Sequence, residues 1–557
     1  MKKRYYGGLT NIIVLKYFTL FPEYFLSVSI LYVLISVVLL GYSVYGLIIL
    51  KALSDCVALI VFMTFCLMIN DDLMQNTGIL FYRSIATDCL SYISKVFICL
   101  FSVAYLLFIP HAMKEQKLAF VEYLIIILFS ILGLLLMCSS NDLLIAYLSI
   151  ELSSLALYTL AAFKKTSIHS VNSGLTYFIT GAISSSFFLL GSSFLYACSG
   201  SIFFGDLWTL HSSNVLNYHP RRFDPFVWIT DLSWYSKWGL HRFLLRIGAG
   251  YLILGPNDLY WNWHLFDFSF AETGQTFVLF SLFIKLAAAP FHIWSIDVYE
   301  GSPTSSSFFF ATVTKLSIFV LLIRITYLSF TYFTKGWQYY FIIVGVISVF
   351  VGSFGGLRQR KLKTLLAYSS TTNMGYALMA LGVNRAAGLQ MLYFHVILYV
   401  ISGLCVWAIV IFLRLKLKNK KRPIKYNKVL SDLSLLYQSN PALAFGLTLG
   451  VFSLSGVPPM AGFLAKMGVF MCLMETTYFI VAVPAIIFSI AATFYYVRLV
   501  KVMYFENLLV GKLYCPINFF STIVLSFLTF LLLIFFFCPT LIYVWSYKIV
   551  TRTLLIN

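Results

Sequence analysis

Apolar residues run along this chain in blocks rather than in an amphipathic rhythm. From Tyr24 to Tyr547 the blocks reach about 18 or more residues, enough for a helix to cross about 30 Å of hydrocarbon. Short polar links separate them. The pattern predicts about fourteen spans, near 24–46, 51–69, 90–110, 119–138, 143–162, 174–199, 274–297, 303–330, 338–357, 364–383, 387–415, 441–470, 476–500 and 518–546. The expected class is an all-α polytopic membrane protein. The alternating pattern of a transmembrane barrel is missing. The blocks suggest an N-terminal group of about three helices (1–118), a first bundle (119–330), a second bundle (338–500) and a C-terminal helix with its tail (501–557).

Composition agrees with that class. Of 557 residues, 61% are hydrophobic and 11% charged, far from an ordinary soluble domain. The net charge of +19 does not call for a nucleic-acid partner, because much of it sits in links beside spans. HAMKEQK, FKKTSIH, LRQRKLK, RLKLKNKKRPIKYNK and YVRLVK fall on alternate links, hence on one face, expected to be the matrix or cytoplasm. MKKRYYGGLTNIIVLKYF has no small-residue cleavage site, so no cleaved leader is expected. The many Phe and Tyr residues (54 and 37) suit a small AT-rich genome and favour the mitochondrial inner membrane, with a bacterial plasma membrane as the alternative.

Residues 205–270 interrupt the spans with a segment rich in Trp, Tyr and Arg. By span parity it lies on the face opposite the basic links. It reads as an insertion resting on the membrane interface, where Trp and Tyr prefer to sit, or as a docking surface for an accessory subunit.

The chemistry lies in charges placed inside spans. Glu151 stands about nine residues into its span, Lys285 about eleven and Lys315 about twelve, or ~14, ~16 and ~18 Å deep at about 1.5 Å per residue. Lys466 follows the double proline of FSLSGVPPMAGFLAKMGVF. A charge at such depth costs roughly 2.5–3.5 kcal/mol on insertion scales and is a functional candidate by default. Glu151 and Lys285 form the natural pair, and Lys315 is the next proton acceptor. Pro290 and Pro458-Pro459 break their helices, and irregular backbone at depth is tolerated only against protein or water. Broken helices with ionisable groups at mid-membrane are a transporter pattern. His292, two residues past Pro290, and His395, deep in QMLYFHVILYVISG, are further relay candidates. Lys95 is expected to snorkel from a span end. Asp297 and Glu300 fall in a short link, where Ser302 and Pro303 would open the next helix as N-cap and N1.

Other chemistries find no motif. The ten cysteines form no C-x-x-C pair, and no Gly-rich phosphate loop, haem attachment or zinc spacing occurs. No metal site, cofactor or redox centre is expected on this chain.

Four stretches carry a resemblance: IELSSLALYTLAAFKKTSIHSVNSGLTYFITGAISSSFFLLG, KLAAAPFHIWSIDVYEGSPTSSSFFFATVTKLSIF, RQRKLKTLLAYSSTTNMGYALMALG and FSLSGVPPMAGFLAKMGVF. Together they resemble the antiporter-like membrane subunits of respiratory complex I, over roughly residues 119–200 and 274–500. DVYEGSPT and the lack of a long lateral helix after the last span favour the subunit 2 and subunit N branch. The resemblance implies a fourteen-helix core with two inverted five-helix repeats and two broken helices. It implies a proton relay of Glu151, Lys285, Lys315 and Lys466; His395 matches no family position. It also implies neighbouring membrane-arm subunits and lipids as partners, with NADH, flavin, iron–sulfur clusters and ubiquinone held elsewhere in the complex. The alternatives are a cation/proton antiporter subunit of the related class and a non-transporting structural subunit.

Overall fold

The computed structural model describes residues 20–40, 46–69, 78–116, 120–208, 259–330, 334–416, 424–426, 429–434, 436–476, 478–506, 513–514 and 519–555. Helices α1 (Phe21–Leu40) and α2 (Gly46–Ile69) lead to an antiparallel hairpin of β1 (Gly78–Leu80) and β2 (Ile85–Thr87). Then come α3 (Cys89–Gln116), α4 (Phe120–Ser139), α5 (Leu143–Ala161) and α6 (Ile168–Ser199). The middle of the chain holds α7 (Leu259–Leu286), α8 (Ile293–Gly301), α9 (Thr304–Ala311), α10 (Val313–Arg324), α11 (Thr334–Leu357), α12 (Leu362–Gly382) and α13 (Ala386–Phe412). After strands β3 (Arg414–Lys416) and β4 (Ile424–Tyr426) follow α14 (Pro441–Ser455), α15 (Ala461–Met474) and α16 (Phe479–Tyr504). Strand β5 (Leu513–Tyr514) completes a small sheet in the order β4-β3-β5, and α17 (Phe519–Phe537) and α18 (Thr540–Leu555) close the described chain.

This is a polytopic helical membrane protein. Each of the fourteen expected stretches holds helix among the described residues, but the count of plain spans is lower. Among the described residues ten helices are long and apolar enough to cross a membrane, or eleven if the bent pair α17 and α18 is one span. The differences have local causes. Helix α12 carries the polar run YSSTTN in its middle. Helix α7 carries Glu272, Gln275 and Lys285. Helices α14 and α15 are each too short, being halves of one broken span. The last expected span bends by 75° between Phe537 and Thr540, at Cys538-Pro539, where proline removes a helix hydrogen bond.

Of the expected 205–270 insertion, residues 209–258 lie outside the described residues, and 259–270 are not loop but the start of α7. Residues 293–301, expected as the end of one span running into the link of Asp297 and Glu300, form α8, and Ser302 does not cap the next helix. Pro303 is extended (ψ 145°) and holds the N-cap place itself, while the Ser302 hydroxyl is buried with no hydrogen-bond partner. Lys95 does not snorkel. It is 5% exposed and pairs with Glu23 of α1 at 2.5 Å, because α1 begins early enough to offer a counter-charge inside the bundle.

The bundle has a core and an outward-facing ring. The spans Thr304–Ser329 and Ala386–Phe412 are wholly buried, whereas only 28% of the α6 and α16 spans is buried. Lys315 and His395 therefore sit on the two central helices. The ends of the bundle are also distinct. At the basic end Lys361 pairs with Glu300, Lys363 donates to the Ser302 carbonyl at 2.7 Å and Gln116 meets Thr304. At the other end Asn141 donates to the Arg83 carbonyl at 2.8 Å and Asp142 bridges Phe203.

The break between α14 and α15 is packed too closely for side chains. Gly456 takes a left-handed φ of 78°, and a Cβ there would also stand 2.8 Å from Lys466. A Cβ at Gly462 would lie 1.8 Å from the Ser453 carbonyl oxygen. Gly462→Ala is therefore expected to destabilise the protein by about 1–3 kcal/mol or more, as overpacking does. Gly205→Ala, with nothing within 4 Å, is the control. Thermal unfolding in detergent measures both; matching midpoints would show that the break has room to spare.

Candidate functional site

The site begins where helices stop. A helix that ends inside a bundle leaves carbonyls without intrahelical partners, and in lipid each must be satisfied internally. At the α7 end, Ala287 takes a positive φ of 59° and its N–H turns back to the Ile284 carbonyl. The Ala288 N–H takes the Phe283 carbonyl, and the Trp294 indole donates to Ile284 at 3.0 Å. The Leu286 carbonyl is taken by the Lys315 ammonium, 2.6 Å away and buried. The second break repeats the arrangement. Gly456 and Val457 N–H groups return to Phe452, and Lys466, 6% exposed, donates to the Ser455 carbonyl at 2.8 Å. Two buried lysines thus cap the negative ends of two half-helices, where a cation is favoured. The span of Lys315 is itself interrupted at Thr312, between α9 and α10.

Lys285 differs. It lies in the last turn of α7 and donates to the Tyr158 hydroxyl at 2.9 Å, with its Nζ also 5.4 Å from the ring centre. No direct ion pair joins it to Glu151 among the described residues, so the expected contact is corrected. Glu151, Ser154 and Tyr158 are spaced i, i+3, i+7 and share one face of α5. Ser154 donates to Glu151 Oε2 at 3.4 Å and its hydroxyl also faces Tyr158. Glu151 Oε1 is buried without a hydrogen-bond partner. The Ser154 and Tyr158 hydroxyls therefore stand between carboxylate and ammonium, because Lys285 reaches α5 two turns beyond Glu151.

A cavity of about 30 Å³ connects the first half of the site. It is lined by Ser154, Lys285, Trp294, Tyr299, Thr314 and Lys315, among others. It has room for a water molecule, which would lie between the two lysines. A second cavity of about 10 Å³ is lined by Asn373, His395, Tyr399, Ser402, Ser453 and Lys466. His395 Nε2 is 3.1 Å from the Asn373 carbonyl and its Nδ1 is buried without a partner. Tyr399 donates to the Ala311 carbonyl, at the interruption in the Lys315 span, at 3.0 Å. Tyr376 places its ring 4.9 Å from Lys466. His292 lines neither cavity; its ring centre is 6.3 Å from that of Tyr368 and its Nδ1 is buried without a partner.

Sequence reasoning missed Tyr158, Ser154, Tyr376 and Tyr399. The first two were within reach, because their spacing from Glu151 marks one helix face. Tyr376 and Tyr399 lie on other helices, and nothing local marks them. No group of three or more His, Cys, Asp or Glu positioned to hold a metal occurs among the described residues.

The profile of the NADH:quinone oxidoreductase/Mrp antiporter transmembrane family matches residues 140–231 and 262–493. The chain belongs to this family. A protein of Pelagibacter ubique named NADH-quinone oxidoreductase subunit N is 33% identical over 87% of this chain and 89% of its own length. One of Marchantia polymorpha named NADH-ubiquinone oxidoreductase chain 2 is 31% identical over 83% of each. Among solved structures, a chain of respiratory complex I from Thermus thermophilus superposes with a TM-score of 0.69 at 22% identity, covering 94% of this chain and 98% of that one. A chain of the Mrp complex from a Dietzia species gives 0.71 at 15% identity, covering 96% and 97%. These likenesses establish the shared fold.

Tyr158→Phe removes the acceptor of Lys285 and is expected to destabilise the protein by about 1.5–3 kcal/mol, as for a hydrogen bond to a charged group. A Cβ at Gly181 would fall 1.7 Å from the Tyr158 hydroxyl oxygen, so Gly181→Ala should displace the same hydroxyl. The double variant should then be no worse than the more damaging single one, since both act on one contact. Additive losses in unfolding midpoint would show that they act separately.

Proposed function

We propose that this chain is a proton-translocating membrane-arm subunit of NADH:quinone oxidoreductase, respiratory complex I. The observation that carries the reading is a row of three buried or half-buried lysines at interrupted spans, two sharing one cavity, in a chain of this family. The named relatives support the complex as its setting. Neighbouring membrane-arm chains and lipids are the partners, with an accessory subunit at the 205–270 segment. NADH, flavin, iron–sulfur clusters and ubiquinone belong to other chains of the complex, and this one carries no redox centre. The abundance of Phe and Tyr supports the mitochondrial inner membrane; the bacterial relatives support a plasma membrane.

Each residue then has a task. Glu151 supplies the negative charge that holds a proton on Lys285, acting through Ser154 and Tyr158. When that charge is compensated or moves away, Lys285 gives up its proton. Water in the shared cavity carries it to Lys315, which must loosen its hold on the Leu286 carbonyl to pass it on. Tyr399 and His395 lead from the interruption in the Lys315 span to Lys466. Lys466 exchanges with the next compartment or subunit. His292 is a minor candidate, standing apart from both cavities. Energy from quinone reduction elsewhere arrives as a shift of charge along this row.

Lys285→Met in the intact complex is expected to abolish or sharply reduce coupled proton pumping while NADH oxidation and assembly persist. Proton uptake into sealed vesicles, normalised to NADH oxidised, is the measurement, and full coupling would end the relay reading. Native mass after mild solubilisation tests the setting independently: flavin- and iron–sulfur-bearing chains should co-purify. Sodium-dependent proton flux without NADH would instead mark a cation/proton antiporter subunit. Lys315→Met weakening assembly rather than pumping would mark a structural subunit.

A further inference from the structure

The two lysine cavities have no lining residue in common. Lys285 and Lys315 stand beside the first, His395 and Lys466 beside the second. Helix α12 packs against both α8 and α13, and its middle carries Ser369, Ser370, Thr371, Thr372 and Asn373, each at most 3% exposed. Polar side chains buried in this way need partners. Most find a carbonyl of their own helix: Ser369 donates to Leu366 at 2.7 Å, Ser370 to Ala367 at 2.8 Å and Thr372 to Ser369 at 2.8 Å. Such bonds account for a hydroxyl in a membrane helix without any further task. Ser370 has a further relation. Its hydroxyl also faces those of Tyr299, on α8, and Tyr399, on α13. Tyr299 lines the first cavity and Tyr399 the second. Ser369 and Thr372 face Tyr496 and Tyr495 instead, and neither of those tyrosines lines either cavity.

We propose that Ser370 is the hydroxyl through which protons cross between the two cavities, along the path Tyr299, Ser370, Tyr399, and that the path opens only when Ser370 turns its proton away from Ala367. The proposal rests on the function stated above and names the residues of its middle step. The hydrogen bonds fix where the protons lie. A carbonyl can only accept. Ser370 therefore commits its one proton to Ala367, and Tyr399 commits its own to Ala311, 3.0 Å away. Neither hydroxyl donates to the other in this arrangement. Tyr299 is free to donate to the Ser370 oxygen, but Ser370 passes nothing on until its O–H rotates toward Tyr399. The receiving end is ready. His395 Nε2 meets the Asn373 carbonyl, so in the neutral ring it carries the hydrogen, and Nδ1 is left as an acceptor, buried without a partner. Once Ser370 has turned, each oxygen takes a proton from the group before it and gives its own to the group after. One O–H bond forms and one breaks at each hydroxyl, and none keeps a charge.

The two committed protons point at different elements. Ala367 belongs to α12, whereas Ala311 lies at the interruption of the span that carries Lys315. Movement of that span against α13 is what frees the Tyr399 proton, so the crossing is tied to the lysine that feeds it. At rest the two cavities stay separate, and a proton held in the second does not run back. The rings themselves are held by packing. Tyr299 is 1% exposed and sets its ring edge-on to Trp407, centres 6.1 Å apart. Removing a hydroxyl from the path thus leaves the rings in place.

The test compares Ser370→Thr with Ser370→Val in the whole complex in sealed vesicles. Both side chains branch at Cβ, and they differ by a hydroxyl against a methyl. Proton uptake per NADH oxidised is measured beside the parent and Lys285→Met. Ser370→Thr should keep the parent's uptake, and Ser370→Val should lose as much of it as Lys285→Met loses. Equal uptake in the two Ser370 variants overturns the proposal, because the hydroxyl then carries nothing. If the added methyl prevents assembly, Tyr299→Phe takes their place. Loss of uptake in an assembled Tyr299→Phe complex supports the path, and parent-like uptake overturns it. Where the variants assemble, Ser370→Val with Tyr299→Phe should lose no more than the worse single change, since one path carries both; additive losses count against the path. Lys285→Met separates the two readings. Should it pump normally, the relay fails, while the contrast between threonine and valine still decides Ser370.

Discussion

Everything polar in this bundle depends on one constraint: a carbonyl that loses its helical partner inside a membrane must find another donor. Two spans break, and each break leaves a carbonyl that a lysine from elsewhere takes, Leu286 by Lys315 and Ser455 by Lys466. The arrangement solves two problems at once. The broken end gains a donor, and the ammonium gains an acceptor at the negative end of a helix. Neither would be tolerable alone at that depth.

The same contact suits the lysines to the proposed relay. A lysine locked into a carboxylate would be a poor carrier, whereas one held by a neutral carbonyl or a tyrosine hydroxyl is restrained without being fully compensated. Lys285 shows the intermediate case. Its hydroxyl partner, Tyr158, stands between it and Glu151, so the carboxylate acts at one remove. In the proposed relay, the water-sized cavity beside Lys285 and Lys315 supplies the remaining step. Close packing keeps such cavities small, and the glycines at the second break are part of that packing.

The central and peripheral helices divide the work. The two wholly buried spans carry Lys315 and His395, where the surroundings are protein on every side and polar groups can be satisfied. The ring of half-buried spans faces outward and carries the exposed Leu, Ile and Phe side chains. The N-terminal helices α1 to α3 are not mere padding, since they bury the Glu23–Lys95 pair against the same core.

The sequence by itself determined the class, the sites of both breaks and the four charges of the row. Apolar run length, proline and intramembrane charge are local properties with large energies, so they survive without tertiary information. It also held the Glu151, Ser154 and Tyr158 stripe, because three residues on one helix face are fixed by helical period. Tertiary structure alone decided who meets whom. It inserted Tyr158 between the expected ion partners, gave Lys95 a buried counter-charge instead of an interface, and joined Asp88 to Arg324 across 236 positions of chain. Those outcomes depend on how helices stack and turn about their axes, and helix-to-helix rotation leaves no mark in a uniformly apolar stretch. For the same reason, whether a polar or broken helix counts as a crossing depends on the neighbours that satisfy it.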